Sequence, residues 1–186
     1  MVPLTALLLP ILLAAVFVFV ASSVINMAPL WHKNDYPRVP NEEGLRAALR
    51  PLALPPGDYM VPRAQSSAEA RSPAFLAAMK EGPNVMITVL PNEPYQLARN
   101  LAQWFVYLLL VSIFAAYVAG RALPAGTDYR VVFRFVGTTA FLGLTVALWQ
   151  MSIWYRRSWS MSVKATIDGL IYALLMGGTF GWLWPR

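Results

Sequence analysis

Apolar residues run almost uninterrupted through four stretches of this chain, at 3–27, 97–119, 132–155 and 164–184. Each is about the 20 residues that a helix rising about 1.5 Å per residue needs to cross about 30 Å of hydrocarbon. The pattern therefore predicts four transmembrane helices, with Pro10 giving the first a mild kink. The first stretch differs from a secretory signal, which has a basic beginning and a shorter apolar core; here no basic residue precedes Lys33. It is expected to persist as a helix.

Between the first two spans the pattern changes. Residues 29–96 mix polar, charged and proline-rich pieces, which divides the chain into a first transmembrane helix at 1–28, an extramembranous insert at 29–96 and a three-helix transmembrane region at 97–186. The insert opens as the extended, proline-punctuated WHKNDYPRVP. Asn41 can then cap a short helix over 42–50, where Glu42 and Glu43 complement its positive end, Leu45, Ala48 and Leu49 share a face, and Pro51 stops it. A turn at Pro55–Asp58 follows. Ser72 as cap, Pro73 at the first position and Gly82 at the end predict a second helix. NVMITVL, at 84–90, is β-branched, apolar and bounded by Pro83 and Pro91, and so predicts a strand with Tyr59–Val61 as its partner. QSSAEAR, at 65–71, is expected to be an exposed mobile loop. The fold class is thus an all-α membrane protein, a four-helix transmembrane bundle with a small mixed α/β insert between helices one and two. So small an insert, without disulfides, buries little core by itself.

Composition agrees with burial in lipid: 58% of the 186 residues are hydrophobic, and the mean hydropathy is +0.50. The net charge of +6 lies around the helices, because the insert holds seven basic and seven acidic residues. It carries no basic patch, which argues against a nucleic-acid partner. The absence of cysteine excludes disulfides, thiolate metal sites and cysteine nucleophiles.

Four spans place the insert and the third loop on one side of the membrane. Trp31, Trp104, Trp149, Trp154 and Trp159 gather there, with Trp182 and Trp184 at the opposite boundary, as an interfacial aromatic belt does. The uncommon polar residues of the spans collect at the same level: Ser22, Ser23 and Asn26 in the first, Arg99, Asn100 and Gln103 in the second, Gln150 in the third, Lys164 and Asp168 in the fourth. Polar groups at membrane depth turn inward and find partners. Asp168 is expected to pair with Lys164, four residues away, or with Arg99. This polar layer reads either as interhelical glue or as a ligand or ion site. Along the fourth span, Ala165, Gly169, Ala173, Gly177 and Gly181 recur every four residues and give a stripe on which another backbone can pack closely. The stripe alone does not tell whether that neighbour belongs to the same chain.

Signals for chemistry are sparse. His32, three residues before Asp35, is the one histidine, and the sequence supplies no nucleophile for it to activate. Hydrolase, metalloprotease, phosphate-loop and dinucleotide fingerprints are missing. No catalytic, cofactor-binding or metal-binding residues are expected, and no cofactor.

SSVINMAPLWHKNDYPRVPNEEGLRAALRPLALPPGDYMVP, MKEGPNVMITVLPN, LAQWFVYLLLVSIFAAYVAGRAL and DGLIYALLMGGTFGWLWPR together resemble a family of small bacterial membrane proteins with no assigned activity, over nearly the whole chain. The resemblance implies a bacterial source and the cytoplasmic membrane, and brings no catalytic residues. The functional expectation is a non-enzymatic accessory, scaffold or assembly subunit whose partners are the bilayer and other membrane subunits. The alternative is a small transporter or ligand-binding membrane protein that uses the polar layer. Arg121, Arg130 and Arg134 on one side balance Arg156, Arg157 and Lys164 on the other, so loop charge leaves orientation open.

Overall fold

The computed structural model describes residues 1–27 and 31–186. The boundary expected between 28 and 29 lies outside the described residues. Two compact units emerge, one of Met1–Pro37 with Gln96–Arg186 and one of Arg38–Tyr95.

In the first unit, a 3-10 turn Leu4–Leu7 leads into α1 (Leu8–Met27), and α4 (Leu97–Ala122), α5 (Tyr129–Leu144), α6 (Trp149–Ile153) and α7 (Trp159–Trp182) follow the insert. Four helical stretches, Leu4–Met27, Leu97–Ala122, Tyr129–Ile153 and Trp159–Trp182, are long and apolar enough to cross a membrane. Small side chains let these helices approach one another. Ala14, Ala15 and Val18 of α1, Ala115, Ala116 and Ala119 of α4, Val132, Val136 and Ala140 of α5, and Ala173, Met176 and Phe180 of α7 form the buried core. Leu, Phe and Val side chains such as Leu9, Leu12, Phe114, Leu142 and Leu174 stay uncovered on the outer faces. Lipid is the solvent that suits such a surface. The architecture is that of a multi-pass membrane protein.

Three hydrogen bonds fix the end of the bundle that holds the termini. The Val2 amide donates to the Gly120 carbonyl at 2.8 Å, and a Cβ on Gly120 would stand 2.6 Å from the Val2 oxygen, so glycine is required there. The Gly126 amide donates to the Pro185 carbonyl at 2.8 Å, and the Trp184 indole to the Pro124 carbonyl at 3.0 Å.

The third span departs from the expected single helix. It starts at Tyr129, where the Asp128 carboxylate caps by accepting from the Arg130 amide, and α5 stops at Leu144. Thr145 leaves helical geometry, its hydroxyl donating back to the Phe141 carbonyl at 2.5 Å. A 3-10 turn, Val146–Leu148, and the short α6 complete the crossing. Gly143 and Thr145 are weak helix formers, and the backbone of α7 at Gly169 lies against the Thr145 methyl. The fourth span begins at Trp159, one turn and more before the expected start at 164.

The second unit follows the sequence signals. Asn41 accepts from the Gly44 amide at 2.9 Å and caps α2 (Glu42–Leu49). Ser72 accepts from the Phe75 amide and caps α3 (Pro73–Glu81), which ends at Gly82 with φ 67°. The strands β1 (Gly57–Val61) and β2 (Val85–Val89) pair antiparallel, with Tyr59 opposite Ile87. Residues 65–71 are exposed as expected but contain a 3-10 turn, Glu69–Arg71, held by Glu69 accepting from the Gln65 amide at 2.6 Å and by Arg71 donating to the Ser67 carbonyl.

Candidate functional site

Ala165, Asp168, Gly169 and Tyr172 fall at intervals of three and four and so share one face of α7. That face is the upper part of the small-residue stripe, which serves two purposes along its length. At the lower end a Cβ on Gly177 would stand 2.8 Å from the Phe133 carbonyl and 3.3 Å from the Gly137 Cα, and one on Gly181 would meet Tyr129; both are pressed against α5. Ala173 is buried, and its carbonyl faces Gly137. At the upper end Ala165 and Gly169 line a cavity of about 350 Å³, although Gly169 is itself pressed against the Thr145 methyl. The kinked third span helps to make it, because Leu144 and Leu148 flank the break and line one wall.

The segment after α1 carries the polar side. The Asp35 amide donates to the His32 carbonyl at 3.1 Å, and this turn sets the two side chains together, with Nδ1 of His32 2.7 Å from Oδ2 of Asp35. Lys164 of α7 donates from Nζ to Oδ1 of Asp35 at 2.5 Å and to the Trp31 carbonyl at 2.7 Å, and lies 5.7 Å from the Trp31 ring. The Lys164 ammonium and then the His32 ring, both hydrogen bonded to Asp35, hold its carboxyl below the usual carboxylate value.

Asp168, buried at 6% exposure, accepts at Oδ1 from the Trp31 indole at 2.8 Å. Its Oδ2 is 3.1 Å from Nε2 of His32, within ion-pair distance. Nε2 is buried and has no other polar partner among the described residues, so the ring lies between the carboxylates of Asp35 and Asp168. Around this pair stand Asn26, Tyr36, Trp104 and Tyr172. Trp104 donates to Ser22 at 2.8 Å and meets Tyr172 edge to face, with ring centroids 6.4 Å apart. Arg157 also lines the cavity and donates to the Tyr36 hydroxyl at 2.9 Å.

Of the polar layer expected from the sequence, Asn26 and Asp168 line the cavity and Lys164 braces it through Asp35. Arg99, Gln103 and Gln150 are exposed and outside its lining. The partners of Asp168 are Trp31 and His32 rather than Lys164 or Arg99. Sequence reasoning left His32 and Asp35 aside for lack of a third group; Asp168, 133 positions beyond Asp35, joins them only through the fold. The available signal was a histidine and an aspartate three apart, next to a tryptophan, at the end of a span. Comparison with family models, with curated proteins and with solved structures finds no match.

Proposed function

We propose that this chain is a ligand-binding membrane protein of the bacterial cytoplasmic membrane, with its site in the cavity between α7, the break in the third span and the Trp31–Tyr36 segment. The observation that carries the reading is the buried Asp168 carboxylate with a buried imidazole nitrogen of His32 3.1 Å from it, both among the residues that line a cavity of about 350 Å³. Ligand sites in proteins commonly occupy about 300–1,000 Å³ and set a few convergent polar groups among apolar walls. Ionisable groups within spans are costly and tend to mark ligand or ion sites. The bacterial source rests on the family resemblance of the sequence. The reading is non-enzymatic, since the two nitrogens of His32 face carboxylates and not a nucleophile.

An accessory-subunit role drew on the small-residue stripe. Gly177 and Gly181 meet Phe133, Gly137 and Tyr129 of the same chain, so that stripe does not call for an outside helix.

The test is native mass spectrometry of protein released from its own membranes, comparing wild type with Ala165→Phe, which fills the cavity. A small-molecule adduct on the wild type that disappears from a folded Ala165→Phe is the expected result. Adduct-free spectra for both, with another membrane protein retained at fixed stoichiometry, would overturn it in favour of the accessory-subunit role.

A further inference from the structure

We infer that the ligand of this cavity is an anionic amphiphile, a carboxylate or phosphate joined to an apolar body, with Arg157 taking its charge; the inference rests on the ligand-binding reading above. Two carboxylates and one guanidinium line the cavity. Both carboxylates are engaged within the chain, Asp35 by Lys164 and by His32 at 2.7 Å, Asp168 by the Trp31 indole at 2.8 Å and by His32 at 3.1 Å. The guanidinium is not matched in this way. Arg157 makes no ion pair among the described residues, and its side-chain partner is the Tyr36 hydroxyl at 2.9 Å. A guanidinium is a planar fork of several N–H donors, and it fits a carboxylate or a phosphate with two parallel hydrogen bonds. One neutral hydroxyl leaves that capacity open.

The local backbone sets Arg157 in place. Arg156 takes a left-handed conformation, with φ 55°, and the Arg157 amide donates to the Met151 carbonyl at 3.0 Å, so the chain folds back on α6 before α7 begins. Arg157 thereby lines the cavity, and Arg156 does not. The loop that carries them joins the third and fourth spans and so lies at the membrane boundary, where a basic pocket between spans suits an anionic headgroup.

The rest of the lining indicates the second half of the ligand. Arg157 and Tyr36 are exposed, whereas Leu144 and Tyr172 are buried. The charge therefore sits at the rim, and an apolar wall that also includes Leu148 and Met161 lies with it. A bare inorganic anion would use the rim alone, and an uncharged apolar molecule the wall alone. A cationic head would meet the guanidinium with no unengaged carboxylate to offset it. Asp35 and Asp168, in the same lining, disfavour a second anionic group, which leaves one anion on an apolar body as the ligand that uses both features.

The experiment titrates purified full-length protein in micelles of an uncharged detergent with octyl phosphate, octanoate, octanol, octyltrimethylammonium and inorganic phosphate, followed by calorimetry and by tryptophan fluorescence. At least one of the two octyl anions is expected to bind about tenfold or more tightly than octanol, the gain expected for a charged hydrogen bond, and more tightly than octyltrimethylammonium and inorganic phosphate. Arg157→Gln should bring that anion down to the level of octanol, while Arg156→Gln, which alters the neighbour outside the lining, should keep the preference. Equal loss in the two variants would reveal a general surface attraction and overturn the assignment. The comparison of probes on wild-type protein needs no variant to fold. Equal affinity for all four octyl probes, or a preference for octyltrimethylammonium, overturns the anionic half, and inorganic phosphate binding as tightly as octyl phosphate overturns the apolar half; an adduct lost from Ala165→Phe would still leave a ligand site of another chemistry. Failure of all the probes overturns the inference too, and failure together with no adduct contrast between wild type and Ala165→Phe takes down the ligand-binding reading as well. Native mass spectrometry from nanodiscs separates the sources. Selective retention of phosphatidylglycerol over phosphatidylethanolamine supports a lipid headgroup, binding of a soluble octyl anion without lipid retention supports a free amphiphile, and equal or reversed retention of the two lipids counts against the inference.

Discussion

Replacing Gly177 with leucine tests whether the lower stripe of α7 is a close internal contact between α5 and α7. A bare Cβ at Gly177 would stand 2.8 Å from the Phe133 carbonyl oxygen, 3.2 Å from the Phe133 ring and 3.3 Å from the Gly137 Cα. Two of those neighbours are backbone and cannot rotate away, so α5 and α7 must separate by several tenths of an ångström even for alanine. Overpacking of this kind costs about 1–3 kcal/mol. Alanine should fall near the lower end, because its better helix propensity returns up to about 1 kcal/mol; leucine, with three further carbons in the same gap, should reach the upper end or pass it. Insertion should persist, as leucine is itself favourable in lipid. The assay is unfolding of the purified protein in mixed micelles by increasing SDS, read by tryptophan fluorescence. Gly178→Ala serves as the control, since a Cβ there meets only the Tyr129 hydroxyl at 3.5 Å. Gly177→Leu unfolding at the same SDS fraction as wild type would refute the reasoning.

Acid should release the segment after α1. The carboxyl of Asp35 is held low by Lys164 and His32, so its contribution is complete above the ordinary carboxylate value of 3.8 and is lost as pH falls through the lowered one; fluorescence of the Trp31 region should hold steady to that point, and a transition near pH 6 that Asp35→Asn removes would contradict it. Four crossings return the chain to its starting side, so reporter fusions at Met1 and Arg186 should report the same compartment, and opposite compartments would exclude the four-span arrangement.

Hydropathy made the four spans legible because lipid imposes one strong requirement along the whole length of each crossing. The caps at Asn41 and Ser72 and the pairing of Tyr59–Val61 with the apolar strand were equally readable, since each depends on neighbours in sequence. The break at Thr145 was hidden: hydropathy runs unbroken through it, and the close approach of Gly169 that accompanies it is tertiary. For the polar layer, the sequence supplied depth but not azimuth. Arg99, Gln103, Gln150 and Asp168 share a level, yet only Asp168 is turned toward the cavity. His32 and Asp35 were visible as a pair, but their meaning depended on Asp168 and Lys164 arriving from the far end of the chain.

The interruption of the third span also bears on the membrane around it. With 16 residues, α5 is about 24 Å long, short of the roughly 30 Å of a typical hydrocarbon layer. The rest of the crossing falls to a 3-10 turn and a five-residue helix, whose exposed side chains include Trp149 and Gln150. The turn and the short helix still present Val146, Leu148, Met151 and Ile153 outward, so the apolar wall carries on past the break. Thr145, at the break itself, is buried, so the irregular backbone is sheltered by protein, the one setting in which non-helical geometry is tolerated at membrane depth.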